Sequence, residues 1–246
     1  MVKDYLANAR APRYSILFAL PLLLTYELCS FVLTGSTYAG VRNGADVLFK
    51  SLFLSLGGPR GLLVFDVLLL GLGAFLVARD MKAHPGGLKG AVFGAMIGES
   101  VLYAVLFGAV VGRLTAFVLG APRLLQIGGG AKLDLPTQLV TSLGAGIYEE
   151  LLFRVVLTGG LLALLRAVTP MRRGLAAAIA VVVSALIFSA FHYVGSLGDT
   201  FTLQSFTFRA IAGLAFSALY VTRGLGITAW THAIYDVLIT VAGALS

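Results

Sequence analysis

Charge is scarce in this chain of 246 residues. Asp, Glu, Lys and Arg make up 12% of it, about half the share found in ordinary soluble domains. Hydrophobic residues make up 59%, and mean hydropathy is +0.95. A soluble enzyme, a nucleic-acid binder and a disordered tail are poor fits to that balance. Cysteine is almost missing. The lone Cys29 lies inside the first apolar stretch, so no intramolecular disulfide can form. Histidine occurs three times. Long runs of alternating polar and apolar residues are lacking too, which argues against a transmembrane barrel.

What the chain does contain is continuous apolar sequence. A spanning helix needs about 20 apolar residues, and seven stretches qualify, near 15–34, 62–78, 90–112, 137–165, 175–193, 206–221 and 225–244. The expected fold is an all-α integral membrane protein, a polytopic bundle of about seven transmembrane helices with one short interfacial helix. That short helix is predicted at 45–57, which is apolar but brief and carries Lys50. Lys3, Arg10 and Arg13 precede the first stretch as in a signal peptide. Glu27 interrupts it and no small-x-small cleavage site follows, so a retained helix is expected. Two regions are expected: 1–136, with three spans and the interfacial helix, and 137–246, a four-span core. Gly90, Gly94 and Gly98 form a small-residue row that predicts close approach of another helix. The segment 119–136, with Gly128-Gly129-Gly130, is expected to be a flexible connector and a candidate entrance loop.

Basic residues between the spans set the orientation. With the N-terminus inside, ten Lys and Arg fall on the inner side and seven on the outer. A multi-pass protein of a bacterial or archaeal cell membrane, N-terminus cytoplasmic, is the expectation. The net charge of +7 then reflects topology rather than a nucleic-acid partner.

Ionisable groups inside spans are expensive and ask for a task. The fourth span contains Tyr148-Glu149-Glu150-Leu151-Leu152-Phe153-Arg154. Glu150 and Arg154 share a helical face and can pair. Glu149 points about 100° away and is expected to be free, an acid/base group beside a structural ion pair. The fifth span ends in Phe188-Ser189-Ala190-Phe191-His192, and the seventh carries His232-Ala233-Ile234-Tyr235-Asp236. Glu27, Asp66 and Glu99 have no evident task, and His84, beside Pro85, reads as solvent-exposed.

Glu-Glu-x-x-x-Arg, then Phe-x-x-x-His, then a Gly-rich helix and a His four residues before Asn or Asp, resembles the CPBP family over residues 137–244. This family, also called Abi, comprises CAAX prenyl endopeptidases and bacteriocin-processing membrane proteases. The resemblance implies an intramembrane glutamate protease. It makes Glu149 the general base, with His192 positioning and activating water. It gives His232 the oxyanion, helped by Asp236, and leaves Glu150 and Arg154 to brace the helix, with Phe188 in support. Asp236 departs from the Asn common in the family. An ionised Asp cannot donate to an oxyanion, so it is expected to accept from His232 and orient its ring.

Other chemistries fit less well. No cofactor is expected. Glu149, His192 and His232 could together hold zinc, but there is no His-Glu-x-x-His motif. Ser217 lacks the small-residue setting of a rhomboid-type nucleophile, and Tyr235-Asp236 stands in the wrong order for presenilin-type aspartyl chemistry. A non-catalytic membrane scaffold and a proton-coupled transporter using Glu27, Glu99 and Glu149 are the non-protease alternatives. The expected partners are the lipid bilayer and a membrane protein or peptide substrate. Glu149 falls about 12 residues, roughly 18 Å, below the outer end of its span, and His232 about 7 residues, roughly 10 Å, from the cytoplasmic end of its own. His192 lies near the outer end of the fifth span. An outward mouth follows, and with it an exported protein's sorting segment, as proposed for the myxosortase branch, or a peptide leader.

Overall fold

The computed structural model describes residues 2–34, 41–120, 133–195 and 198–245. The glycine run 128–130 and most of the predicted entrance loop lie outside the described residues. Every described element is helical. Among the described residues, seven helical segments are long and apolar enough to cross a membrane, which makes this a polytopic helical membrane protein: Pro12–Leu33, Pro59–Ala83, Gly90–Leu119, Leu135–Val168, Arg173–Phe191, Leu203–Arg223 and Leu225–Leu245.

A short helix α1 (Val2–Arg10) leads into α2 (Pro12–Thr34). The predicted interfacial helix is α3 (Gly44–Gly57), whose 14 residues are too few to span. It turns at Gly57-Gly58 into α4 (Pro59–Ala83), which is followed by α5 (Gly90–Leu119). The fourth span is not one regular helix. It begins as α6 (Leu135–Gly144), winds as a π-helix over Ala145–Glu149 and Leu151–Thr158, and ends as α7 (Gly159–Val168). The remaining spans are α8 (Arg173–Phe191), α9 (Leu203–Arg223) and α10 (Leu225–Leu245).

The packing is that of a bilayer protein. Leucines, valines and phenylalanines point outward along α4 and α5, while buried positions include Glu149, Glu150, Arg154 and His232. The most buried span is α10. On one side it packs with α1, α2, α5 and α9 in a cluster centred on Phe107, Phe216 and Tyr235, and the Phe107 and Phe216 rings stack at 4.3 Å. On the other, Leu22, Tyr26, Phe65 and Tyr148 join α2, α4 and the fourth span. Trp230 belongs to both clusters and donates its indole N–H to the Phe18 carbonyl at 2.7 Å. Such a bond satisfies a donor that has no water to turn to.

The glycine expectation is corrected here. A Cβ at Gly90, Gly94 or Gly98 would meet nothing within 4 Å. Helix α5 instead buries Val92, Met96, Ser100, Ala104, Phe107 and Val111, a face set two residues, about 200°, round the helix from the glycines. Close approach occurs at Gly146, where a Cβ would lie 2.5 Å from the Ala229 carbonyl oxygen and 2.6 Å from the Ala233 Cβ. That contact brings the π-helical turn against α10.

Two of the three carboxylates without a task, Glu99 and Glu27, find partners at opposite ends of the bundle. Glu99 receives Arg223 Nε and Nη2, both at 2.6 Å, and the Tyr5 hydroxyl at 2.5 Å, which ties α1 to α5 and α9. Burial raises the Tyr5 phenol above its usual range, and its bond to Glu99 adds to the shift. Glu27 receives Arg42 at 2.6 Å, Lys50 at 2.9 Å and the Tyr148 hydroxyl at 2.5 Å. Asp66 lies exposed on the outer face of α4. His84 is exposed as expected, its Nδ1 3.0 Å from Asp80.

Candidate active site

The π-helical winding has a visible local cause. A widened turn loosens the regular carbonyl pairing, and such turns concentrate at functional sites. The Phe153 carbonyl accepts the Thr158 hydroxyl, five residues on, at 2.6 Å and the Ser184 hydroxyl from α8 at 2.7 Å. Side chains thus supply what a disturbed backbone ladder would leave unmet in the bilayer. The motif Glu149-Glu150 sits where the two π-helical segments meet, so its geometry departs from the α-helical angle expected of it.

The predicted pair Glu150–Arg154 is present and buried. Arg154 Nε lies 3.2 Å from Glu150 Oε2, and the guanidinium faces the rings of Phe188 and Phe216 at 4.6 and 5.6 Å. Those ring faces are suited to a desolvated cation. Glu150 is fully buried, and its Oε1 accepts from His232 Nδ1 at 2.7 Å. An ionised carboxylate only accepts, so this bond places a proton on Nδ1. His232 Nε2 turns toward Asp236 Oδ2 at 3.5 Å, and the ring stacks on Phe216 at 4.3 Å. Asp236 accordingly faces His232, and its side chain is 30% exposed to the cavity.

Glu149 is not free, contrary to expectation. Its Oε1 accepts from Asn43 Nδ2 at 2.8 Å, a residue 106 positions earlier. Its Oε2 has no hydrogen-bond partner and lies 3.9 Å from His192 Nε2. His192 follows the last residue of α8, and its Nδ1 lies 2.9 Å from the Phe188 carbonyl. A carbonyl can only accept, so Nδ1 carries a proton, and in the neutral form of the ring Nε2 offers a lone pair. Phe188 therefore contributes twice, through its carbonyl and through its ring, which packs edge-on against His192 at 4.9 Å. The 19-residue α8 ends at the level of Glu149, which is how a residue at a helix end reaches one deep in a longer span.

A cavity of about 390 Å³ opens in front of these groups. Glu149, His192, His232 and Asp236 line it together with Asn43. Its rim includes Gln138 near the start of α6, Asp199 after α8, Arg209 near the start of α9 and Thr240 near the end of α10. The mouth thus lies at the end of the bundle opposite α1. Arg209 is held there by Asp199 and by the Tyr193 hydroxyl at 3.1 Å. Among the described residues, no group of three or more His, Cys, Asp or Glu is arranged to hold a metal ion.

Sequence patterning missed Asn43 and the ion-pair ring behind it. Asp46 is fully buried and pairs with Arg42 and with Lys50, the latter at 2.8 Å, while the Tyr26 hydroxyl donates to it at 2.8 Å. Burial works against the Arg42 charge, but the hydrogen bond and charge of Asp46 outweigh it and hold the guanidinium above its usual range. A signal was available in the four-residue spacing of Asp46 and Lys50 on an otherwise apolar helix, with Arg42 four residues before Asp46.

Neither the curated proteins nor the solved structures gave a match to the chain. Residues 131–238 match a family model described as type II CAAX prenyl endopeptidase Rce1-like. The matched stretch takes in Glu149, Glu150, Arg154, Phe188, His192, His232 and Asp236 and leaves out Asn43. Residues 131–238, less than half of the chain, are thus similar to that family, and the likeness is consistent with a membrane protease.

Proposed function

We propose that the protein is an intramembrane endopeptidase that hydrolyses a peptide bond with water activated between Glu149 and His192. The observation that carries this is the 3.9 Å gap between Glu149 Oε2 and His192 Nε2, two acceptors facing one another beside the cavity. A water in that gap donates one hydrogen to each acceptor. Both of its lone pairs stay free, and one is turned toward a carbonyl carbon in the cavity. Attack moves one proton to Glu149 and forms the tetrahedral oxyanion, and Glu149 returns that proton to the departing amine. His232 Nε2 serves the oxyanion when that nitrogen carries a proton, the ring being held at Nδ1 by Glu150. Such a donor is worth a few kcal/mol in a water-poor site. No cofactor is required by this scheme.

The substrate is a membrane-associated protein or peptide that enters at the end opposite α1. The family name points to prenylated CAAX substrates, which approach from the cytoplasm. With the N-terminus cytoplasmic, the mouth faces outward and favours an exported protein's sorting segment, with a peptide leader as second choice. Replacing Glu149 with Ala in the native host, followed by quantitative mapping of membrane-protein termini, tests the activity. Specific termini should vanish at unchanged protein level. Unchanged termini, with a phenotype still seen on gene deletion, would establish a non-catalytic scaffold instead. A C-terminal reporter fusion tests sidedness, and a cytoplasmic C-terminus would return the prenylated class to first place.

A further inference from the structure

The Glu149 carboxylate has two oxygens, and the proposed chemistry needs one of them held and the other turned to the cavity. Asn43 does the holding. Its amide orientation is set by its own bonds: Oδ1 caps α3 by accepting from Ala45 N at 2.9 Å, which leaves Nδ2 to donate to Glu149 Oε1 at 2.8 Å. The Asn43 backbone N–H donates to the Tyr26 hydroxyl at 3.1 Å. Tyr26 in turn donates to Asp46, which pairs with Arg42 and Lys50, and both cations reach Glu27. Glu27 closes the ring by accepting from Tyr148, the residue next to Glu149. Two acids and two bases cancel in charge around the buried Asp46, the other three being partly exposed, and the ring ties α3 to α2 and the fourth span at once.

The approach is also built into the backbone. A Cβ at Gly144 would lie 2.7 Å from the Asn43 Cβ and 2.5 Å from the Tyr26 ring, so a larger residue there would push both away. On the basis of the protease reading, we infer that Asn43 is a positioning residue for Glu149, and that α3 completes a site whose other groups all lie in the family-matched stretch. Its donor selects Oε1 as the held oxygen and so presents Oε2 to His192 and the water between them. Removing the donor lets the carboxylate rotate while Glu149, His192, His232 and Asp236 all stay in place.

Capping and positioning can be separated by choice of variant. Ser and Asp are good N-caps and Ala is not, so Asn43→Ser keeps α3 capped but cannot reach Glu149. The assay uses a quenched fluorescent peptide spanning the terminus that Glu149→Ala cells fail to produce. Asn43→Ser should unfold at the wild-type temperature, keep KM, and lose up to about 100-fold in kcat, the scale of cost when a reacting group is misplaced by about 1 Å. Asn43→Ala should lose kcat and thermal stability together. Wild-type kcat in Asn43→Ser would overturn the inference. A second measurement does not depend on turnover. In protein labelled with ¹³C-glutamate, the infrared difference between wild type and Glu149→Gln isolates the Glu149 carboxylate band. That band should move in Asn43→Ser, and an unmoved band overturns the inference. If the wild type shows no Glu149-dependent cleavage, the protease reading fails, and the band alone decides whether Asn43 orients Glu149.

Discussion

Replacing Gly146 with Ala adds one methyl group at the closest contact between the π-helical turn and α10. The new Cβ would lie 2.5 Å from the Ala229 carbonyl oxygen, 2.9 Å from the Ala233 nitrogen and 2.6 Å from the Ala233 Cβ. Two of these are backbone atoms of a packed helix and cannot swing aside. Relief requires the two segments to part by most of an ångström. Overpacking of this kind typically costs about 1–3 kcal/mol, which at 2–4 °C per kcal/mol for a chain of this size lowers Tm by about 2–12 °C. The activity should suffer more than the stability. Gly146 stands three residues before Glu149, and Ala233 adjoins His232, so parting them separates the two halves of the site. A misplacement near 1 Å can cost about 10²-fold in rate. The control is Gly94→Ala, where a Cβ meets nothing within 4 Å. Both variants would be purified in detergent, melted while following intrinsic fluorescence, and assayed for turnover. Equal Tm and equal turnover in the two would refute the packing argument.

Further outcomes follow from the same contacts. Glu149→Gln keeps an oxygen for Asn43 but cannot take a proton, so turnover should drop by about 10²- to 10⁴-fold with Tm unchanged; a turnover assay beside a melt checks both. Glu150→Gln strips the buried Arg154 and His232 of their shared anion, and the loss should be near the 3–5 kcal/mol seen when one partner of a buried pair is removed, read from denaturant unfolding in micelles. Glu99→Gln weakens the hold of Arg223 and Tyr5 on α1, at the far end from the cavity. Protease sensitivity of residues 2–10 should rise while kcat stays the same, and a fall in kcat would show that the two ends are coupled.

Several residues behaved as their spacing implied. Apolar runs of the required length became the seven spans, because a backbone in lipid must satisfy its own hydrogen bonds and does so as helix. Glu150 and Arg154 paired because four residues nearly complete a turn. Phe188 and His192 met through the same periodicity. Spacing failed for Gly90, Gly94 and Gly98, since a row of small residues says where a neighbour could come but not that one does. It failed for Glu149 as well, because the partner came from 106 residues away.

The division between the two kinds of information has a physical basis. Hydropathy, helical period and the cost of charge in a bilayer are local properties, and they determined the fold class, the span count and the short list of Glu149, Glu150, Arg154, His192, His232 and Asp236. Which carboxylate oxygen meets which donor depends on how helices distant in sequence come together. Only the tertiary structure could show that His232 is spent on Glu150 at one nitrogen, that the short α8 stops level with Glu149, and that α3 reaches in to hold the proposed base.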